Sequence, residues 1–212
     1  MRIQVGIVGG FAHTSSPQSL ISLWTLGAEI GRCRLALVYE ALSALALDVA
    51  EVAREFGART VAISPATSAR EHELVVGPLG ENELVLFIGS KPSECQRMVV
   101  DSSDILVFAG GESDLLQLFD YAQEQGKTIG ILVGTGGICD DVETVKVHFV
   151  GGHGGVVVCE SDPARLLDNV LALTRTPDGE GYSRRKPAAT SPNRRRRKMF
   201  GGSRSRAHLR NA

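Results

Sequence analysis

The chain has 212 residues, 43% hydrophobic and 22% charged, which allows one medium domain with a sizeable core and excludes a chain disordered throughout. The formal net charge of −1 hides a division: residues 176–212 carry 11 of the 23 Lys and Arg side chains against two acids, a net of +9, leaving residues 1–175 with 12 bases and 22 acids, a net of −10. The expectation is an ordered domain over residues 1–175 followed by a disordered basic tail over 176–212.

Within the first 175 residues short β-branched runs alternate with helical patterns. Ile3-Gln4-Val5-Gly6-Ile7-Val8 reads as a strand, running into Gly9-Gly10, and a helical pattern covers Ser16 to Arg32. A weak strand near Leu35 to Tyr39 precedes a helix over Ala41 to Phe56, and Thr60 to Ile63 is a strand that ends at Pro65. Glu83 to Ile88 is the next strand, Ser93 to Ser102 a helix, and Ile105 to Phe108 a strand entering Ala109-Gly110-Gly111. A helix from Glu112 to Gln125, a strand from Thr128 to Val133 and the loop Gly134-Thr135-Gly136-Gly137 follow. After a less regular segment ending in Gly151-Gly152-His153-Gly154-Gly155, strand Val156 to Cys159 and a helix from Asp162-Pro163 to Leu173 complete the domain. Regular β-α alternation, with strands apolar on both faces, predicts an α/β fold: a three-layer, Rossmann-like, doubly wound parallel sheet.

In such sheets ligands bind at the carboxyl ends of the strands, where backbone N–H groups and helix dipoles favour anions. The loop after the first strand, with Gly9 and Gly10, lets backbone approach a ligand, while Thr14, Ser15 and Ser16 offer hydroxyls and an N-cap before Pro17. It is not G-x-G-x-x-G, so a standard NAD site is not expected, and an ordinary strand-to-helix turn explains it equally well. Gly110-Gly111-Glu112-Ser113-Asp114 has the build of an anion cradle, yet Glu112 and Asp114 are themselves anions that can cap the helix and repel a phosphate. Gly134, Thr135 and Gly136 form a third loop of the same placement.

The remaining polar candidates read more simply. His148, His153 and Cys159 match no zinc spacing, and no metal site is expected. Cys33, Cys95, Cys139 and Cys159 are widely separated, which argues against a secreted disulfide framework and for a reducing, cytoplasmic setting. Cys95 has no nearby His in sequence and reads as structural. Trp24, in an apolar helix with Leu23 and Leu26, reads as core. No targeting or membrane-spanning segment is expected, and no resident cofactor. The arginine-rich tail, with Arg184-Arg185-Lys186 and Arg194 to Lys198, offers non-specific contact with nucleic acid, docking on acidic surfaces, or no specific partner at all.

Residues 1–173 resemble the lonely-guy-type proteins long labelled lysine decarboxylases, within the SLOG nucleotide-binding superfamily. The family's P-G-G-x-G-T-x-x-E stretch corresponds to Ala109-Gly110-Gly111-Glu112-Ser113-Asp114-Leu115-Leu116-Gln117. Val5 to Gly10, Ala28 to Arg32, Gly57 to Pro65 and Gly126 to Leu132 support the match. The resemblance implies a cleft for a nucleotide-like small molecule, a homodimer for which the apolar first helices could supply the face, and cleavage of an N-glycosidic bond in active members. There Gly-Thr holds phosphate, the glutamate serves the ribose or the bond cleavage, and an upstream arginine assists. In this chain Ser113-Asp114 replaces Gly-Thr, Gln117 replaces the glutamate, and Arg97 is the only candidate arginine. The family's second glycine-rich loop is replaced by Tyr39 to Ala46, which reads as continuous helix. An amide cannot act as a general base, so the expectation is a binding, carrier or sensor protein with impaired catalysis. The alternative is an active nucleoside 5′-monophosphate phosphoribohydrolase using another carboxylate, Glu112 being the nearest.

Overall fold

The computed structural model describes residues 3–10, 16–78, 84–141 and 155–174. In chain order these form β1 (Gln4–Gly10), α1 (Pro17–Arg32), β2 (Ala36–Glu40), α2 (Ala44–Glu55), β3 (Arg59–Ser64), α3 (Ala69–Val75), β4 (Leu84–Phe87) and α4 (Pro92–Asp101). There follow β5 (Ile105–Gly110), α5 (Leu115–Glu124), β6 (Thr128–Leu132), a 3₁₀ turn (Gly137–Asp140), β7 (Val156–Glu160) and α6 (Pro163–Leu173). Thr14, Ser15, His148, His153 and the basic tail fall outside the described residues.

The seven strands make one parallel sheet in the order β4-β3-β2-β1-β5-β6-β7. Strands β1 to β4 are laid down in one direction and β5 to β7 in the other, so the order reverses between β1 and β5. This is the doubly wound, three-layer α/β architecture expected from the sequence. The period-2 pleat sorts each strand between two cores. Val5 and Ile7 of β1, Leu37 and Tyr39 of β2, and Ile105 and Val107 of β5 pack with α1, α2 and α6. Val8, Val38, Leu106 and Phe108 face the opposite way, onto α4 and α5. Both faces of the central strands are thereby buried, which is why those strands read as continuous apolar runs.

Helix starts follow local chemistry. Ser16 closes a reciprocal capping box with Ser19 just before Pro17, Ser43 caps α2, and Asp162 caps α6 ahead of Pro163, each satisfying an N–H that has no partner within its helix.

Two expectations are corrected, and one element was missed. Residues 39–46 are not a continuous helix: Tyr39 and Glu40 end β2, where Glu40 pairs in register with Ile63, and α2 starts only after the Ser43 cap. Sheet pairing overrides the helical propensity of the Ala and Leu residues that follow. Trp24 is 47% exposed rather than core, because the buried stripe of α1 runs through Leu23, Leu26 and Ile30 and leaves Trp24 on its outer side with Ile21. Helix α3 was not foreseen; its seven residues, AREHELV, bury only His72.

Candidate functional site

The reversal between β1 and β5 opens a cleft of about 470 Å³ at the carboxyl ends of the strands. That is the position where open α/β sheets bind ligands, and the volume lies in the range of small-molecule sites. Gly9 and Gly10 from β1 form one side and Gly111 to Leu115, the turn into α5, another. Glu40 and Ser43, from the end of β2 and the cap of α2, and Pro92 and Gln96, on one face of α4, complete it.

The two glycines of β1 have different reasons to be there. A Cβ on Gly9 would sit 1.9 Å from the Ala109 carbonyl oxygen, and its φ is +154°, so the pairing of β1 with β5 demands glycine. A Cβ on Gly10 would meet nothing within 4 Å. Packing does not demand glycine at position 10, and its missing side chain leaves room in the cleft. Ser43 ties the site together by donating its hydroxyl to the Gly9 carbonyl at 2.8 Å while capping the Ala46 amide.

The turn into α5 is open in a way the sequence left undecided. Asp114 stands at the N-cap with helical backbone angles and makes no side-chain capping hydrogen bond. Glu112, Ser113 and Asp114 all line the cleft and all are exposed. Self-capping by Asp114 is therefore not what the turn does.

The loop after β6 is already occupied by its own chain. Asp140, delivered by the 3₁₀ turn, accepts hydrogen bonds from the Gly134 amide at 2.6 Å and the Gly136 amide at 3.1 Å. Thr135 is 1% exposed; its hydroxyl accepts from the Gly110 amide at 2.8 Å and donates to the Leu132 carbonyl at 2.6 Å. The donors that an external phosphate would need at Gly134 and Gly136 are thus engaged by a carboxylate, and none of the three residues lines the cleft.

Of the residues expected to carry chemistry, Glu112 is in the cleft and two are not. Gln117 is exposed on α5 outside the lining. Arg97, one position round α4 from Gln96, stacks its guanidinium 5.0 Å from the ring centroid of Tyr121, whose hydroxyl donates to Asp101 at 2.8 Å. Gly110 supports the cleft through Gly111, whose amide donates to the Gly10 carbonyl at 2.7 Å.

The residue that the sequence reading passed over is Glu40. The pleat turns it to the same side as Val38, toward α4, where it is 8% exposed and receives a side-chain hydrogen bond from Gln96. Burial raises its carboxyl above the ordinary value, and the Gln96 bond works against that rise. A lone acid closing a buried strand, three residues before the helix-capping Ser43, was the available signal.

Burial pushes the Cys95 thiol up to about 11 and the Cys139 thiol up to about 12, so neither supplies thiolate near neutrality. Ser64 and His72 are hydrogen-bonded at 2.8 Å but are 0% and 3% exposed, a sealed tie between β3 and α3. Among the described residues no three His, Cys, Asp or Glu side chains group as metal ligands would, and no helix is long and apolar enough to cross a membrane.

Residues 2–165 match the model of the SLOG cluster4 family. No curated protein sequence matches the chain. Solved structures of similar fold include the molybdenum cofactor binding protein of the phototrophic bacterium Rippkaea orientalis, at 14% identity and TM-score 0.62 over 82% of this chain and 98% of that one. The molybdenum cofactor carrier protein of Chlamydomonas reinhardtii aligns at 19% identity and TM-score 0.63, covering 80% of this chain and 96% of the carrier. The single-stranded-DNA-binding DNA processing protein A of Helicobacter pylori aligns at 15% identity and TM-score 0.57, covering 80% of each chain. At these identities the likeness is one of fold.

Proposed function

The chain belongs to the SLOG cluster4 family, and from that premise we propose that it is a small-ligand binding protein, a carrier or sensor, whose cleft takes a nucleotide-type molecule without cleaving it. The observation that carries this reading is the separation of cleft from catalytic apparatus. The cleft is open, with Gly10 leaving room in it, while Arg97 is stacked on Tyr121 and Gln117 lies outside the lining. An oxocarbenium-like transition state requires a correctly placed carboxylate, and Gln117 has none to offer. That fold relatives are named for holding a molybdenum cofactor fits a carrier role.

The competing reading, a phosphoribohydrolase, rests on Glu112, the one expected catalytic carboxylate in the cleft. Thermal-shift screening of the full chain against nucleosides, nucleoside monophosphates and pterins, with assay for free base, separates the two. Stabilisation without base release supports the binding reading. Base release that Glu112→Gln abolishes overturns it.

Three further properties belong to the same reading. The proposed domain is residues 1–175, acting in the cytoplasm, where the four free cysteines remain reduced. It pairs as a homodimer through the outer face of α1, where Ile21 and Trp24 are exposed. The tail contacts nucleic acid phosphates non-specifically, so filter binding by the full chain falls steeply with salt and is lost when residues 176–212 are removed.

A further inference from the structure

We infer that the end of the ligand seated deepest in the cleft is an N–H-donating edge, of the amidine, guanidine or 2-aminopyrimidinone type, held by Glu40 and Gln96, and that no phosphate is bound there. The inference rests on the small-ligand reading above and names the chemistry which that cleft selects.

The charge of the lining sets the sign. Among the described residues every charged side chain that lines the cleft is acidic: Glu40, Glu112 and Asp114. No Lys, Arg or His is among the described lining residues. Among the described lining residues a phosphate dianion there would meet three carboxylates and no cationic side chain. The N-terminus of α5, the usual attraction for anions, already has Glu112 and Asp114 beside it to complement its dipole. The glycine loop after β6, the alternative cradle, is filled by Asp140.

The geometry of Glu40 sets the kind of donor. A carboxylate offers about four acceptor positions; the Gln96 bond uses one. Gln96, having committed an N–H to Glu40, keeps its carbonyl oxygen as an acceptor. Glu40 and Gln96 both line the cleft, and a carboxylate and a carboxamide oxygen acting together are the complement of two N–H donors on one planar edge. Because Glu40 is 8% exposed, a donor that reaches it is shielded from water, where a charge-assisted hydrogen bond counts most. Gly10, in the same lining, leaves open space in the cleft that a planar group can use. A buried acid of this kind costs stability, and its use as a ligand anchor gives it a reason to persist.

The test is calorimetric titration of the full chain with guanosine, inosine, which lacks the exocyclic amine, guanosine 5′-monophosphate and benzamidine. The expected order has guanosine and benzamidine binding, inosine weaker than guanosine by about 10-fold or more, as for loss of one hydrogen bond to a charged partner, and the monophosphate no tighter than the nucleoside. Glu40→Gln weakens guanosine by at least about 10-fold without lowering the melting temperature, and Gln96→Leu weakens it in the same direction. Equal affinity for guanosine and inosine, unchanged binding in Glu40→Gln, or failure of every donor-edge probe overturns the inference. Tighter binding of the monophosphate, lost in Gly10→Val, overturns it while leaving the small-ligand reading standing. Base release from the monophosphate overturns the small-ligand reading itself.

Discussion

The carboxylate of Asp140 lies 2.6 Å from the amide nitrogen of Gly134 and accepts its hydrogen bond, so the loop after β6 carries its own anion. With the 3.1 Å bond to Gly136, this explains how a glycine-rich turn at the end of a parallel strand can hold its shape without a bound phosphate. Asp140→Ala is expected to cost about 1–2 kcal/mol, as for loss of exposed hydrogen bonds to a charged acceptor. The melting temperature falls by about 2–4 °C per kcal/mol for a chain of this size. Sulfate should restore part of the loss in the variant and do little for the parent; equal effects on both would show that the loop is not an anion nest.

Gly9 and Gly10 are adjacent yet should respond in opposite ways. Gly9→Ala drives a methyl group against the Ala109 carbonyl oxygen and should cost about 3 kcal/mol or more. Gly10→Ala should leave the unfolding free energy within roughly 0.5 kcal/mol of the parent but weaken ligand binding by filling the cleft. Equilibrium denaturation of both variants checks the first statement, and titration of Gly10→Ala the second.

Glu40 supplies a pH signature. Its carboxyl is raised by burial, less the contribution of the Gln96 hydrogen bond; Cys95 lies close enough to interact with it, and Glu112 and Asp114 share the cleft lining. The folded state therefore binds this proton more tightly than the unfolded chain. Stability falls as pH rises from the ordinary value of 4.5 through the folded value, and the cost is constant above it. Glu40→Gln should accordingly melt at a higher temperature than the parent at about pH 7, with the difference vanishing below about pH 4. A gain of the same size at both pH values would mean that charge burial is not its origin.

Trp24 and Ile21, 47% and 51% exposed on α1, are proposed to lie in the face between two copies of the chain. Trp24→Asp should shift the sedimentation coefficient from dimer to monomer without altering the far-ultraviolet circular dichroism. A parent that sediments as a monomer removes this part of the account.

Much of the fold was legible in the sequence because burial on both faces gives a parallel strand a continuous apolar run. Val5 to Val8, Ile105 to Phe108 and Thr128 to Leu132 announce themselves that way, and Ser16-Pro17 marks a helix start by capping chemistry. Local pattern fails where a distant partner decides. Glu40 is strand because Ile63 lies beside it in the sheet, and nothing within residues 39–46 says so. Helix α3 has no apolar stripe to read, its one buried side chain being His72. Trp24 was readable in principle, since the spacing of Leu23, Leu26 and Ile30 already places it off the buried stripe.

The site divides along the same line. The glycine-rich strand ends and Glu112 were visible as motif residues. The pairing of Glu40 with Gln96 joins the end of β2 to α4, and the filling of the β6 loop by Asp140 depends on a 3₁₀ turn. Both arise from the folded chain rather than from any run of residues. The displacement of Arg97 onto Tyr121 is equally a matter of which side of α4 faces α5.

The most direct measurement of the central claim is to incubate the full chain with nucleosides and nucleoside monophosphates, following the melting temperature and the release of free base in the same samples. The account predicts stabilisation by at least one nucleoside with no base released beyond the rate in buffer. Turnover of a monophosphate to free base, abolished by Glu112→Gln, would contradict it.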